Sequence, residues 1–241
     1  MNSILDIKDF SNGRLKSYAQ YDNERSLPNL MDGQKITQRK ILFTASKLSE
    51  NELIKCSVLG MRASEQTDYA HGEGSIIGAV IGLAQSYPGS NNLNLLYGEG
   101  QFGSRLSHEA ASPRYIHVKK SEYFSKIFSK EDENILIDQY DGDQKIDPKF
   151  YIPTIPLLLV NGSLGTGNGF KCNIASYSIE SIYNFLDEFS KKGKTNKRLV
   201  PFVKGFTGNV SKNHDTGQIT YSGIIKKINT STLEIHELPP K

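Results

Sequence analysis

Three amphipathic segments in close succession, a strand-like stretch behind them and two alternating apolar–polar runs near the end predict an α+β fold. Short helices followed by a strand suit a helix-turn-helix unit of the winged-helix kind, an arrangement that docks on duplex DNA. With 241 residues, 37% hydrophobic and 23% charged, the chain is long enough for one large domain or two modest ones, each with its own core. The formal net charge is only +3, so affinity for nucleic acid has to come from local basic patches.

The first helical segment is ITQRKILFTASKL, residues 36–48, which sets Ile41, Ala45 and Leu48 on one face and Arg39, Lys40 and Lys47 elsewhere, with Thr37 as the expected cap. Residues 51–65 read as a second helix, and GSIIGAVIGLAQS, 74–86, as a third with Ile76, Val80 and Leu83 in one stripe. Glycines and asparagines crowd GSNNLNLLYGEGQFGS, 89–104, which predicts an ordered loop with little regular structure, of the kind that often carries function. A strand-like stretch follows at 114–118. EDENILIDQYDGDQKID, 131–147, holds seven acids against one lysine; its DGD suggests a magnesium site at first sight but reads better as a solvated hairpin. YIPTIPLLLVNG, 151–162, predicts an apolar strand running into GSLGTGNG, which fits neither a P-loop nor a dinucleotide fingerprint. Its glycines instead mark a tight turn or a close backbone approach. Residues 190–214 contain no acid, as in a basic linker or arm, either touching DNA or merely solvated. QITYSGIIKKI and STLEIHEL then alternate as half-buried antiparallel strands do.

Cys56 and Cys172 stand far apart without a CxxC pair, which points to a reducing compartment and two buried thiols, and no metal ligand set is expected in this chain. MNSILDIKDF lacks the basic start and apolar run of a leader, and IPLLLV is too short to cross a bilayer, so a soluble intracellular protein with no membrane partner is expected.

Three constellations could carry chemistry. In HEAASPRYIHVKK, 108–120, Tyr115 either packs its ring from a strand or is a nucleophile held beside a cation for use on a phosphate. Arg114 offers a planar charged fork that suits phosphate oxygens. Neighbours on a strand point to opposite faces, so the two side chains share one phosphate only where the backbone is irregular or the strand ends, and Pro113 makes irregularity credible. In DYAHGEGS, 68–75, a helix start would add His71 and Ser75 to its free N–H groups, although a lone histidine is usually a satisfied surface or core group. In RSLPNLMDGQKITQRK, 25–40, Arg25, Lys35, Arg39 and Lys40 flank a turn, with a solvated basic face as the plain alternative.

Taken in order, DNERSLPNLMDGQKITQRKILF at 22–43, YAHGEGS at 69–75, GSNNLNLL and GQFGSR within 89–105, ASPRYI at 111–116, YIPTIPLLLVNG at 151–162 and IHELP at 235–239 resemble one family. That family is the type IIA DNA topoisomerases, in their DNA cleavage and reunion region, nearest to the form of eukaryotes and of some large viruses and phages. The resemblance implies that Tyr115 attacks a DNA phosphodiester and keeps the 5′ phosphate, that Arg114 stabilises the transition state, and that His71 assists. It implies DNA contacts by Arg25, Lys35, Arg39, Tyr69, Ser75 and Gln101. It also implies a winged-helix domain over 1–157 and the start of a mostly β tower domain over 158–241. Thr166 stands where the family usually has an isoleucine that wedges between base pairs, so bending should be weaker or should fall to Leu164; Ala70 replaces a second histidine.

By the same resemblance Mg2+ comes from a Toprim domain and ATP serves only the full enzyme. Neither EGDSA nor DxDxD occurs in this sequence. The partners implied are double-stranded DNA, a Toprim/ATPase portion on the same or another chain, and a second copy in a homodimer, in the host cytoplasm or nucleus. Alone, the chain is expected to be unable to cleave, as an excised fragment or part of a split viral enzyme. The alternatives are a non-catalytic winged-helix DNA-binding protein and, less well fitted, an architectural DNA-bending protein.

Overall fold

The computed structural model describes residues 6–213 and 215–240. The leader reading of the first ten residues therefore lies partly outside them, as do the ends of the acid-free run at 214 and of the tail at 241. The N-terminal segment is helical, through α1 (Ile7–Phe10), a π-helical turn (Ser11–Leu15) and α2 (Lys16–Ser26), and none of its side chains is buried. A helix with no buried face has no apolar stripe for periodicity to detect, which is why the sequence does not announce it. The following turn brings Gly33, at φ 68°, against the backbone of residue 158: a Cβ there would lie 2.6 Å from the Leu158 nitrogen.

Helix α3 (Ile36–Ser46) is capped at Lys35 and not by Thr37: the Lys35 N–H donates to Gln38 Oε1 at 2.9 Å, and Thr37 turns its hydroxyl to Tyr69. The short strand β1 (Ile54–Lys55) leads into α4 (Cys56–Gln66), and α5 (Glu73–Ala84) crosses α4 closely because Gly60 has no Cβ to strike Ile77. Strands β2 (Leu96–Glu99) and β3 (His117–Lys120) complete an antiparallel sheet in the order β1-β3-β2, with Gly98 and Ile54 both opposite Val118. Part of the glycine-rich stretch is thus a strand and not a loop, since Leu95 and Leu96, 1% and 0% exposed, draw it into the core. Three helices with a small antiparallel sheet agree with the α+β class expected.

Further on, α6 (Phe124–Ile127) carries Phe124 onto Phe128 and Phe128 onto Tyr151. The acidic segment forms the expected hairpin, β4 (Tyr140–Asp141) with β5 (Gln144–Lys145), turning at Gly142 with φ 56°. The apolar run expected as a strand is helix α7 (Leu157–Asn161), begun at Pro156 and stopped by Gly162 at φ 69°. Short apolar runs suit either structure, and here the flanking proline and glycine favour a helical turn. The hairpin β6 (Ser163–Thr166) and β7 (Lys171–Ile174) follows, then α8 (Ile179–Lys192), which takes up the first residues of the acid-free run. The end is β8 (Asn209–Lys212) with β9 (Ile219–Ser222) and β10 (Ile224–Lys227) with β11 (Leu233–Glu237), both antiparallel.

One hydrophobic cluster runs through α3, α4, α5 and the sheet and continues through Leu157 and Val160 to Ile182. Each large side chain fully buried in it contributes about 1.5–3 kcal/mol. Cys56 lies inside this cluster, whereas Cys172 is half-buried. No helix among the described residues is long and apolar enough to cross a membrane.

Candidate active site

Tyr115 does not sit on a strand. Residues 113–115 form a turn before β3, closed by the Tyr115 N–H donating to the Ser112 carbonyl at 2.9 Å. Two further bonds fasten this turn to the start of α4, from the Ser57 N–H to the Pro113 carbonyl (3.2 Å) and from the Cys56 N–H to the Ile116 carbonyl (3.0 Å). The first N–H groups of a helix have no partner within it, so α4 supplies donors that hold an irregular backbone in place. Ile116 is 2% exposed and points inward over Gly100, where φ is 114° and a Cβ would lie 2.8 Å from Ile116 Cγ2. Tyr115 is 72% exposed, and the Arg114 guanidinium carbon is 5.9 Å from its ring centroid. The turn removes the strand's alternation, so phenol and cation share one solvent-facing side.

Beneath the turn, the Ala111 N–H donates to the Gln101 carbonyl at 3.0 Å, and exposed Gln101 spends its amide on the Glu109 carbonyl at 3.2 Å. The loop between them is held at its base by Gln85, which donates to the Phe102 and His108 carbonyls, and at its tip by Arg105. Arg105 donates to the Leu238 carbonyl (2.7 Å) and pairs with Glu237 (2.5 Å). Hydrogen bonds from Thr207, and secondarily Arg105, hold the Glu237 carboxyl down at about 2.

A second group of side chains lines an open cleft of about 600 Å³ between α2, α3, α5 and β6: Arg25, Lys35, Ser75, Leu164 and Thr166 among them. Lys35 Nζ donates to the Leu164 carbonyl at 2.9 Å, which ties the α3 entry to the hairpin. Next to this cleft the chain leaves α4 through Asp68 in left-handed backbone (φ 45°) and presents Tyr69 and His71. Tyr69 is 8% exposed; its hydroxyl lies 3.1 Å from Ser75 Oγ and 3.4 Å from Thr37 Oγ1. Burial alone would raise that hydroxyl's pKa, but the bonds with Ser75, Thr37 and Arg25, and the charge of Arg25, bring it below the ordinary phenol range. His71 meets the Tyr21 hydroxyl through Nε2 and the edge of Tyr69 at 5.3 Å between centroids. Its pKa is lowered, by burial first and by the Arg25 charge second.

Residues 25–241 match the family of the A subunits of DNA gyrase/topoisomerase IV. The chain belongs to this family. DNA topoisomerase 2-alpha of Homo sapiens is 38% identical to it over 239 residues, which are 98% of this chain and 16% of the human protein. DNA topoisomerase 2 top-2 of Caenorhabditis elegans is 39% identical over 240 residues, 99% of this chain and 16% of that protein. The crystal structure of the Plasmodium falciparum topoisomerase II DNA-binding, cleavage and re-ligation domain superposes with a TM-score of 0.91 at 40% identity, covering 98% of this chain and 32% of that one. The chain therefore spans less than a fifth of the length of these two curated relatives.

Within this topoisomerase-family fold, Arg25, Lys35, Ser75 and Thr166 line one cleft, with Tyr69 and His71 alongside. Arg39 does not join them. It is 4% exposed, donates through Nε and Nη2 to Asp32 at 2.7 and 3.1 Å and through Nη2 to the Gln34 carbonyl at 3.1 Å. The reason is Asp32, fully buried, which needs a charged partner where no water can reach. Lys40 likewise turns to buried Asp147 at 2.9 Å, so the expected basic face of α3 is largely neutralised within the protein.

Among the described residues, no hydrogen bond or ring contact links His71 to the Arg114–Tyr115 turn. The turn hangs on Ser57 and the Tyr69 N–H on the Ser64 carbonyl, about 11 Å apart along α4. Thr166 is exposed on the β6–β7 hairpin opposite Lys171, Leu164 on the same face is 63% exposed, and Phe170 near the tip is 66% exposed. The hairpin rests on α2, where a Cβ at Gly165 would lie 2.3 Å from the Ser26 carbonyl and one at Gly167 2.1 Å from Asn23 Oδ1. Tyr21 is the site residue that sequence reading misses, because nothing in the sequence ties residue 21 to residue 71.

Proposed function

We propose that this chain is the DNA-cleaving and religating module of an ATP-dependent type IIA topoisomerase. The observation that carries this reading is Tyr115, exposed beside Arg114 on a turn clamped to the start of α4. The Tyr115 oxygen attacks the phosphorus of a DNA phosphodiester; the bond to the 3′ oxygen breaks, and that oxygen leaves as a 3′ hydroxyl after gaining a proton. The phosphate stays on the 5′ end as a phosphotyrosine, and religation is the reverse displacement. One P–O bond replaces another throughout, so no hydrolysis is needed to reseal the strand. Arg114, permanently charged, neutralises the charge that builds on the phosphorane oxygens.

Arg25, Lys35 and Ser75 line the cleft as backbone contacts, His71 and Tyr69 extend it, Gln101 adds a contact from the loop beneath Tyr115, and Thr166 is the position that bends the duplex. The likeness to the Plasmodium falciparum domain, which is named for DNA binding, cleavage and re-ligation, supports the assignment. In this reading residues 1–157 are the winged-helix domain and 158–241 begin the tower. The protein works inside the cell, in cytoplasm or nucleus, as a homodimer on double-stranded DNA with a Toprim/ATPase portion. Among the described residues no cluster of three His, Cys, Asp or Glu side chains fits a metal ion. Mg2+ belongs to the carboxylates of the Toprim portion.

The test is to combine the chain with a Toprim portion, magnesium and supercoiled DNA and to trap covalent complexes with detergent. Adducts are expected from the parent and none from Tyr115→Phe. Adducts of equal yield from Tyr115→Phe would remove the nucleophile assignment.

A further inference from the structure

We infer that Tyr21 is a positioning residue for His71, fixing which imidazole nitrogen carries the proton. The Tyr21 hydroxyl, on the last turns of α2, contacts His71 Nε2, and the two rings lie 5.8 Å apart at 31°. Tyr69 stands edge-on to the same ring, 5.3 Å between centroids. A neutral imidazole has one donor and one acceptor nitrogen, and the bond made by one decides the proton on the other. A phenol donating to Nε2 therefore places the ring proton on Nδ1. Among the described residues His71 makes no other hydrogen bond, so Nδ1–H is the donor left for a phosphate oxygen.

The surroundings favour the neutral ring. Arg25, one turn along α2 from Tyr21, lies beside His71 and disfavours a second positive charge there. The same recess also carries Glu24, Asp68 and Asp147, with Lys40 and Lys149, so charges of both signs face it. Lys40 and Asp147 pair with each other, and of the charges facing the recess Arg25 is the one that acts on the ring.

Helix α2 has no buried side chain, yet it reaches the recess through Tyr21 and Arg25 together. The effect on cleavage rests on the proposed function; the hydroxyl–imidazole pairing does not.

Tyr21 is 47% exposed, so Tyr21→Phe keeps the ring and leaves the core untouched. The first measurement is the long-range proton–nitrogen correlation spectrum of His71 in the 15N-labelled chain. The parent should show Nδ1 protonated and Nε2 free at pH above the His71 titration. Tyr21→Phe should move the proton toward Nε2, the preference of a free imidazole, and raise the titration midpoint. The second is the rate of covalent adduct formation with the Toprim portion and magnesium, which should fall several-fold across neutral pH while DNA affinity stays within about twofold. An unchanged tautomer in Tyr21→Phe overturns the pairing, and a changed tautomer with an unchanged adduct rate overturns the positioning role. A parent that forms no adduct while its His71 tautomer responds as stated contradicts the cleavage reading and leaves the pairing standing.

Discussion

Arg114 and Arg39 carry the same guanidinium into opposite surroundings. Arg114 is exposed on a turn, where its charge is available to a group that arrives from outside. Replacing it with alanine should leave DNA affinity near that of the parent while adduct formation drops by orders of magnitude, because the charge acts mainly in the transition state. Parallel titrations of binding and adduct yield check this, and equal losses would contradict it. Arg39 faces Asp32 at 2.7 Å with both side chains almost wholly buried. Asp32 also accepts from the Gln34 and Tyr151 N–H groups, so it joins the turn before α3 to residue 151. Removing one partner strands the other without water, and Arg39→Met should lower the unfolding free energy by about 3–5 kcal/mol in urea titrations. A loss below about 1 kcal/mol would show that the pair is dispensable. The ASPRY motif stands out because proline, arginine and tyrosine each bring chemistry of their own, although the strand expected from 114 begins only at His117. The fate of Arg39 was not, since a sequence displays a charge but not its burial.

At the scale of elements, the β6–β7 hairpin and the loop under Tyr115 are each seated by a few contacts. Gly165 and Gly167 let the hairpin lie directly on α2, which leaves Thr166 and Leu164 facing the cleft. Threonine is smaller and more polar than isoleucine, and apolar side chains are the common wedges between base pairs. Thr166→Ile should therefore increase DNA bending, read by energy transfer between the ends of a short duplex; an unchanged bend would assign the wedge to Leu164 or Phe170. The loop at 101–111 is tied to β11 through Arg105 and Glu237. The Glu237 carboxyl, held near 2 against an ordinary 4.5, binds its proton less readily in the folded chain than in the unfolded one. Its contribution is thus complete above about 4.5 and disappears as the pH falls toward about 2. Melting temperatures should converge for the parent and Glu237→Gln over that interval, and a constant gap would show that the ionised carboxylate is not the source. The glycines at 162–169 gave correct notice of close backbone approach. By contrast, α8 went unread although Ser178 caps it and Gly193 ends it, because its lysine-rich last turn merges with the acid-free run.

Across the whole molecule, the residues expected to form the core do so: Ile41, Ala45, Leu48, Ile76, Val80 and Leu83 all fall within the one cluster. Periodicity found them because all but Leu48, which follows α3, sit on a helix with one buried face. It failed for α2, which buries nothing, and for α7, too short to show a period. The site divides the same way. Individual motifs were visible, whereas the distance between the tyrosine turn and the His71 recess, set by α4, emerges only in three dimensions.

That arrangement makes the identity of the atom bonded to DNA the most direct test of Tyr115 as the nucleophile. Covalent complexes formed with the Toprim portion and magnesium would be digested with nuclease and protease and the peptides sequenced by mass spectrometry. The predicted product is a nucleotide joined through its 5′ phosphate to Tyr115, with free 3′ hydroxyl ends on the broken strand. A nucleotide on any other side chain, or a phosphate left on the 3′ end, would contradict it.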